Sequence, residues 1–190
     1  MDSHAAATLR YIRDSMEGAA SFVVPGSAGI ALGVIGLVCA ALSSAPSLHE
    51  YWLQIWLVAA LAAAAVGSTL LVRESSLRGL RLIGTPIRKF ALCLIPSLGA
   101  GLIMTAVHWS YGNLHAIPGT WLLCYGCALI SASTVTTRTI SLLGGSFAAL
   151  GVLALLLPSG VQMLMLGAGF GGLHIVFGIL IGRMGHGRQI

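Results

Sequence analysis

Charged side chains are scarce in this chain: only 8% of its 190 residues are Asp, Glu, Lys or Arg. Soluble domains carry about 25% charged residues, so a water-soluble fold of this size is excluded. Ten basic and five acidic residues give a net charge of +5. These are too few for the basic face of a nucleic-acid-binding protein or for a charged, disordered chain. With 57% hydrophobic residues, the composition is that of an integral membrane protein.

Acidic residues are absent from the long apolar segments. All five lie near the amino terminus or between segments: Asp2, Asp14, Glu17, Glu50 and Glu74. Carriers driven by protons or cations commonly rely on intramembrane carboxylates, and hydrolysis within the membrane needs an acid–base pair or a Ser-His-Asp set. We therefore predict neither that kind of coupled transport nor enzymatic activity.

Long apolar segments dominate what is present. A transmembrane helix needs about 20 apolar residues. Six segments qualify: 22–44, 51–72, 87–109, 118–137, 140–158 and 161–182. Runs such as Leu57–Val66 lack the alternation typical of barrel strands. The sequence thus predicts an all-α integral membrane protein with six transmembrane helices in a single membrane domain over 1–190.

Basic residues fall on one side of this arrangement. All ten lie before the first span, around the connections between spans 2 and 3 and between spans 4 and 5, or after span 6. Since loops rich in Lys and Arg stay in the cytoplasm, both termini are predicted to be cytoplasmic. Within the segment 1–21, residues 5–17 repeat apolar positions at helical spacing and predict a short amphipathic helix on the cytoplasmic surface. The alternative for this segment is a frayed tail.

Two short signatures recur in the two halves of the chain. Spans 1 and 4 open with Val24–Ser27 (VPGS) and Ile117–Thr120 (IPGT), and spans 3 and 6 contain Leu98–Gly101 and Leu166–Gly169, both LGAG. With three spans in each half, the second half would be inverted relative to the first. Such 3+3 inverted repeats are the plan of many transporters. Chance recurrence of common dipeptides is the alternative.

Small and polar residues form stripes along several spans. Small residues at helical spacing favour close helix packing, and the candidates are Gly26, Gly29, Gly33, Gly36 and Gly167. Polar residues at membrane depth should face protein or water. Those expected to line a cavity, together with small neighbours, are Ser97, Gly99, Gly101, Thr105, His108, Ser131, Thr134, Gly171 and His174. The alternative is that the hydroxyls bond to preceding carbonyls and hold the helices together.

Histidine positions do not favour a cofactor or a metal site. His108 and His174 differ in depth by more than ~10 Å at ~1.5 Å per helical residue, too much for one haem between them. Three histidines are expected as independent residues at the outer surface: His49, His108 and His115. A metal site or a pH sensor formed by the three imidazoles is the alternative. We therefore predict no cofactor and no bound metal.

Three stretches carry a family resemblance: Lys89–Leu92 (KFAL), Pro118–Leu123 (PGTWLL) and Gly169–Arg183 (GFGGLHIVFGILIGR). Over nearly its whole length the chain resembles an uncharacterised family of small six-helix bacterial inner-membrane proteins. Members often lie beside winged-helix regulators, so the resemblance implies a sensing or stress-related role. It supplies no catalytic motif.

Two functions fit these patterns. The first is a channel or facilitator for a small solute, with a polar path along spans 3, 4 and 6. The second is a non-transporting membrane sensor, complex subunit or interaction partner. The lipid bilayer is the expected surrounding partner, and a second copy of the chain or another membrane protein is the expected protein partner. Nucleic acid is not expected as a partner.

Overall fold

The computed structural model describes residue 8 and residues 24–77, 85–158 and 160–186. Apart from Thr8, the predicted amphipathic helix over 1–21 lies outside these residues. The described chain forms six helices long and apolar enough to cross a membrane, which confirms the predicted number of spans.

Seven α-helices and one π-helical segment make up the six spans. The helices are α1 (Gly26–Ser44), α2 (Trp52–Leu77), α3 (Thr85–Ser110), α4 (Ala116–Ala132), α5 (Arg138–Leu156), α6 (Gln162–Gly167) and α7 (His174–His186). Short 3-10 turns, His49–Tyr51 and Ser133–Val135, precede α2 and follow α4. The π-helical segment, Ala168–Leu173, joins α6 to α7, and we call these three elements together the sixth span.

Prolines and one glycine mark the helix ends, as their chemistry requires. Pro25 is the N-cap of α1, and Pro86 lies in the first turn of α3, where its missing N–H has no helical partner to lose. Gly160 has a φ of +120° in the turn before α6, a conformation that favours glycine. Pro96 lies within α3, which continues through it as a single helix.

Four of the spans form the centre of the bundle, and two flank it. The sixth span packs against α1, α4 and α5, while α4 and α5 pack closely on each other. Helix α2 packs against α1, and α3 packs against α4. The buried core comes mainly from α4, α5 and the sixth span and includes Leu122, Leu129, Phe147 and Leu166. Most residues of α2 and α3 face outward, as expected of peripheral helices that meet lipid.

Glycines allow α1 and the sixth span to approach at backbone distance. A Cβ built on Gly29 would lie 2.9 Å from Cα of Gly178, and one on Gly36 would lie 2.5 Å from the carbonyl oxygen of Phe170. Real Cβ atoms essentially never come this close to backbone. The start of α1 meets the end of α7 and its middle meets the π-helical segment, so the two spans are antiparallel.

The second close interface joins α4 to α5. A Cβ on Gly126 would lie 2.5 Å from the backbone nitrogen of Ala148, and one on Gly151 would lie 2.5 Å from that of Leu123. Contacts at these positions also run in antiparallel order. In both interfaces the small residue replaces a side chain that would otherwise separate the helices, and dispersion between closely packed atoms stabilises the pair.

Candidate functional site: the Tyr125–His174 pair

A buried histidine and a tyrosine join α4 to the sixth span. His174 is the first residue of α7 and is 4% exposed. Its Nδ1 lies 3.1 Å from the carbonyl oxygen of Phe170, and its Nε2 lies 2.9 Å from the hydroxyl of Tyr125. Because a carbonyl only accepts, Nδ1 carries the proton of the neutral ring. Nε2 is then the acceptor, and the Tyr125 hydroxyl donates to it.

The histidine follows directly on the π-helical segment. This segment, Ala168–Leu173, contains three glycines. A Cβ on Gly169 would lie 2.5 Å from a methyl of Leu122 in α4, and one on Gly171 would lie 2.5 Å from a methyl of Leu37 in α1. The missing side chains let α1 and α4 approach the segment from different sides. Such π-turns are rare in proteins, and those that occur are often at functional sites. The segment therefore makes this region a candidate site.

Aromatic rings surround the imidazole. The ring centroids of Phe147 and His174 are 5.1 Å apart, those of Tyr125 and His174 are 5.5 Å apart, and Phe170 stacks on His174 at 6.1 Å. Phe147 is completely buried. Trp56 of α2 reaches Phe170 at 5.9 Å, and its indole N–H is buried without a hydrogen-bond partner among the described residues. His174 therefore lies among aromatic rings, and its polar contact to α4 is the hydrogen bond to Tyr125.

A second polar group joins α3 to α4. The indole N–H of Trp121 donates to the hydroxyl of Thr105 at 2.9 Å, and Thr105 donates to the carbonyl of Gly101 at 2.8 Å. The hydroxyl of Thr120 donates to the carbonyl of Ala116 at 2.9 Å and pairs with Nε2 of His108 at 3.2 Å. Each hydroxyl thus donates to a carbonyl of its own helix and accepts from a side chain of the neighbouring helix. This arrangement links α3 to α4. It corresponds to the alternative interpretation of the polar stripes, in which hydroxyls bond to preceding carbonyls and hold helices together.

The residues expected to line one cavity fall in different places. Gly101, Thr105, Gly171 and His174 are buried, whereas Ser97, Gly99 and His108 are half-buried. Ser131 and Thr134 are exposed near the end of α4, and Thr134 donates to the carbonyl of Ser131 at 2.8 Å. The structure brings Gly101, Thr105 and His108 together on α3 against α4, whereas His174 lies apart from them and contacts Tyr125 and Phe147. Their role in lining a cavity stays a prediction.

The glycines expected to pack helices lie at the interface of α1 with the sixth span. Gly26, Gly29, Gly33 and Gly36 meet this span at successive turns, and a Cβ on Gly167 would lie 2.9 Å from Cβ of Ala40. Sequence reasoning did not single out Tyr125, Phe147 or Phe170. The available signal was the depth of Tyr125, since its hydroxyl lies in mid-span and needs a partner.

A shallow groove of about 280 Å³ lies where the three short connections of the bundle meet. His49, His115 and Gln162 are among its lining residues. Nδ1 of His49 donates to the carbonyl of Ser43 at 3.2 Å, and Gln162 closes its own turn through the N–H of Gly160 at 2.7 Å. Within the described residues, no group of three His, Cys, Asp or Glu side chains is placed to hold a metal ion.

Fold and composition together define an all-helical polytopic membrane protein with six helices long and apolar enough to span the bilayer. Comparisons with models of protein families, with curated proteins and with solved structures found no match for this chain. The arrangement of its own residues is therefore the basis for a functional proposal.

Proposed function

We propose that the protein is a non-transporting membrane protein, a sensor or a subunit of a membrane complex, with both termini in the cytoplasm of a bacterium. The observation that carries this proposal is the internal pairing of the polar side chains at depth. Thr105, Thr120 and His174 each bond both to their own helix and to a side chain of a neighbouring helix.

This pairing favours adhesion between helices over conduction for an energetic reason. A polar path works by offering donors and acceptors to a passing solute or to water. Here the donor of each threonine is already used on a backbone carbonyl, and the indole N–H of Trp121 donates to one lone pair of Thr105. A solute would have to break these bonds within the bundle, where a polar group left unpaired costs several kcal/mol.

The sixth span supplies the element that a sensor or a subunit needs. It contacts α1, α4 and α5, so a shift of this span would be felt by three neighbours. Its π-helical segment has glycines on the faces toward α1 and α4 and ends at the Tyr125–His174 bond. A signal that breaks this bond would remove the polar link between α4 and the sixth span, a change of the kind that switching proteins use.

A second candidate is a facilitator for a small solute, and the buried imidazole is the observation that favours it. Ionisable residues inside membrane proteins are often functional. The helix contacts also agree with a 3+3 inverted repeat, because α1 pairs with α2 as α4 pairs with α5. Likewise, α3 packs on α4 as the sixth span packs on α1. In this candidate the solute path would open beside His174.

Accessibility of an introduced cysteine distinguishes the two candidates. The four native cysteines would be replaced with alanine: Cys39, Cys93, Cys124 and Cys127. Thr105→Cys then tests the interior, and Tyr111→Cys, at a position 83% exposed in a connecting turn, is the labelling control. We expect a small water-soluble thiol reagent to label the control and not Thr105→Cys.

Flux measurements on the same protein complete the test. Liposomes containing the wild-type chain should show the same permeability to small neutral solutes and ions as empty liposomes. Flux above that of empty liposomes, together with labelling of Thr105→Cys, would overturn the proposal in favour of the facilitator.

A further inference from the structure

An open groove lies between α1 and α7 at the end of the bundle where α1 begins. It measures about 530 Å³ and opens to the surroundings. Seven residues line it: Gly26, Ser27, Ile30, Gly178, Ile179, Gly182 and Arg183. The groove exists because glycines occupy the facing turns, so the helices touch at backbone level and leave a furrow between the side chains on either side.

Most of the groove is apolar. Ile30 of α1 is 39% exposed, and Ile179 of α7 is 40% exposed. A Cβ built on Gly182 would meet no atom within 4 Å, so this position points into open space. Both lining helices belong to segments apolar enough to cross a membrane. In a bilayer this part of the groove therefore meets lipid acyl chains.

One end of the groove is positively charged and polar. Arg183 and Ser27 are exposed there, and Arg183 forms no ion pair with the part of the chain that the structure describes. Helix α1 begins at the same end with Pro25 as its N-cap, no side-chain cap and no acidic residue in its first turn. Unpaired N–H groups at a helix start add positive potential. An anionic group thus has a cation, a hydroxyl and a helix start within one small region.

We propose that this groove binds a phospholipid with an anionic headgroup. The phosphate lies against Arg183, Ser27 and the start of α1, and an acyl chain lies along Ile30 and Ile179. This occupant matches both halves of the groove, since the apolar furrow ends at a basic group at the membrane surface. Basic sites between transmembrane helices recognise anionic lipid headgroups in the same way.

Lipid binding to the full chain can be measured by native mass spectrometry from detergent. The probes are phosphatidylglycerol and phosphatidylcholine with identical acyl chains, and inorganic phosphate alone. We expect the wild type to retain phosphatidylglycerol preferentially. Arg183→Gln should lower that retention about fivefold, the scale of one basic residue at an anionic surface, whereas Arg183→Lys should keep most of it. Gly182→Leu should lower retention of both lipids because its side chain fills the furrow.

Two matched variants control for general effects of charge and bulk. Arg138→Gln removes an exposed basic residue at the start of α5, and Gly145→Leu adds bulk where a Cβ also meets no atom within 4 Å. Neither residue lines the groove. Both variants should retain phosphatidylglycerol like the wild type.

Three results would overturn the proposal. The first is equal retention in the groove variants and their controls. The second is retention of inorganic phosphate to the same extent as lipid, which would make the region a simple anion site. The third is loss of a dimer in Gly182→Leu without loss of lipid, which would make a second copy of the chain the occupant. Circular dichroism of each variant verifies that the helices remain folded.

Discussion

The close approach of α1 and the sixth span gives a sharp prediction about glycine. Replacing glycine with alanine within a helix gains about 1 kcal/mol of helix propensity wherever the position lies. The packing term differs between positions. At Gly36 the new Cβ would lie 2.5 Å from the backbone of Phe170, at Gly67 it would lie 3.4 Å from the end of the Leu32 side chain, and at Gly99 it would meet no atom within 4 Å.

The three substitutions should therefore differ in stability, with Gly36→Ala the least stable of them. Overpacking against atoms that cannot move aside costs about 1–3 kcal/mol. Since the propensity gain cancels in the comparison, Gly36→Ala should have a free energy of unfolding lower than that of Gly99→Ala by about 1–3 kcal/mol. Gly67→Ala should lie close to Gly99→Ala, because 3.4 Å to a flexible side chain is near ordinary contact.

Titration with SDS in mixed micelles, followed by helical circular dichroism, measures these free energies of unfolding. Gly99→Ala is the matched control, since it is the same substitution within a long apolar helix. If Gly36→Ala proves as stable as Gly99→Ala, the backbones of α1 and the sixth span do not approach as described. The argument from glycine contacts would then fail for the whole interface.

Two further predictions concern the central pair and the orientation of the chain. A double-mutant cycle with Tyr125→Phe and His174→Leu should give a coupling energy of ~0.6 kcal/mol in unfolding titrations, the average measured for hydrogen bonds between membrane helices, and at most ~1.7 kcal/mol. Coupling within error of zero would contradict the bond. Topology reporters fused to either terminus should be active in the cytoplasm and one inserted after Leu114 outside it, because all ten basic residues lie toward one side; cytoplasmic activity of the Leu114 insertion would refute this orientation.

The sequence alone was sufficient to predict the six spans, because the hydrophobicity of each span is a local property of the chain. An apolar run of about 20 residues has only one stable arrangement in a bilayer, and no tertiary contact is needed to recognise it. Glycine spacing was informative for a similar reason. Gly26, Gly29, Gly33 and Gly36 recur every three or four residues, which places them on one face of α1. The sequence could not indicate that the partner of this face is the sixth span, because pairing depends on the whole bundle.

The centre of the bundle could not be predicted in the same way. Tyr125 and His174 are separated by 49 positions, so no local pattern connects them. The π-helical segment adds a further obstacle. A π-turn contains an extra residue, which rotates everything after it relative to α-helical spacing. Gly167, Gly171 and Gly178 all contact α1, whereas His174, which has helical spacing to Gly171 and Gly178, bonds to Tyr125 of α4.

Threonines and histidines within a transmembrane helix differ in how many of their hydrogen bonds their own helix can satisfy. A threonine such as Thr105 can always donate to the carbonyl four residues earlier, as it does here to Gly101, so its presence in a span does not require a path, a ligand or a partner helix. An imidazole has two nitrogens, and its own helix satisfies only one of them, here through Phe170. The other nitrogen must find a group on a different helix, a ligand or water. His174 is therefore the polar residue of this core whose position depends on the fold around it. In the proposed function, its bond to Tyr125 is the contact that a stimulus would break.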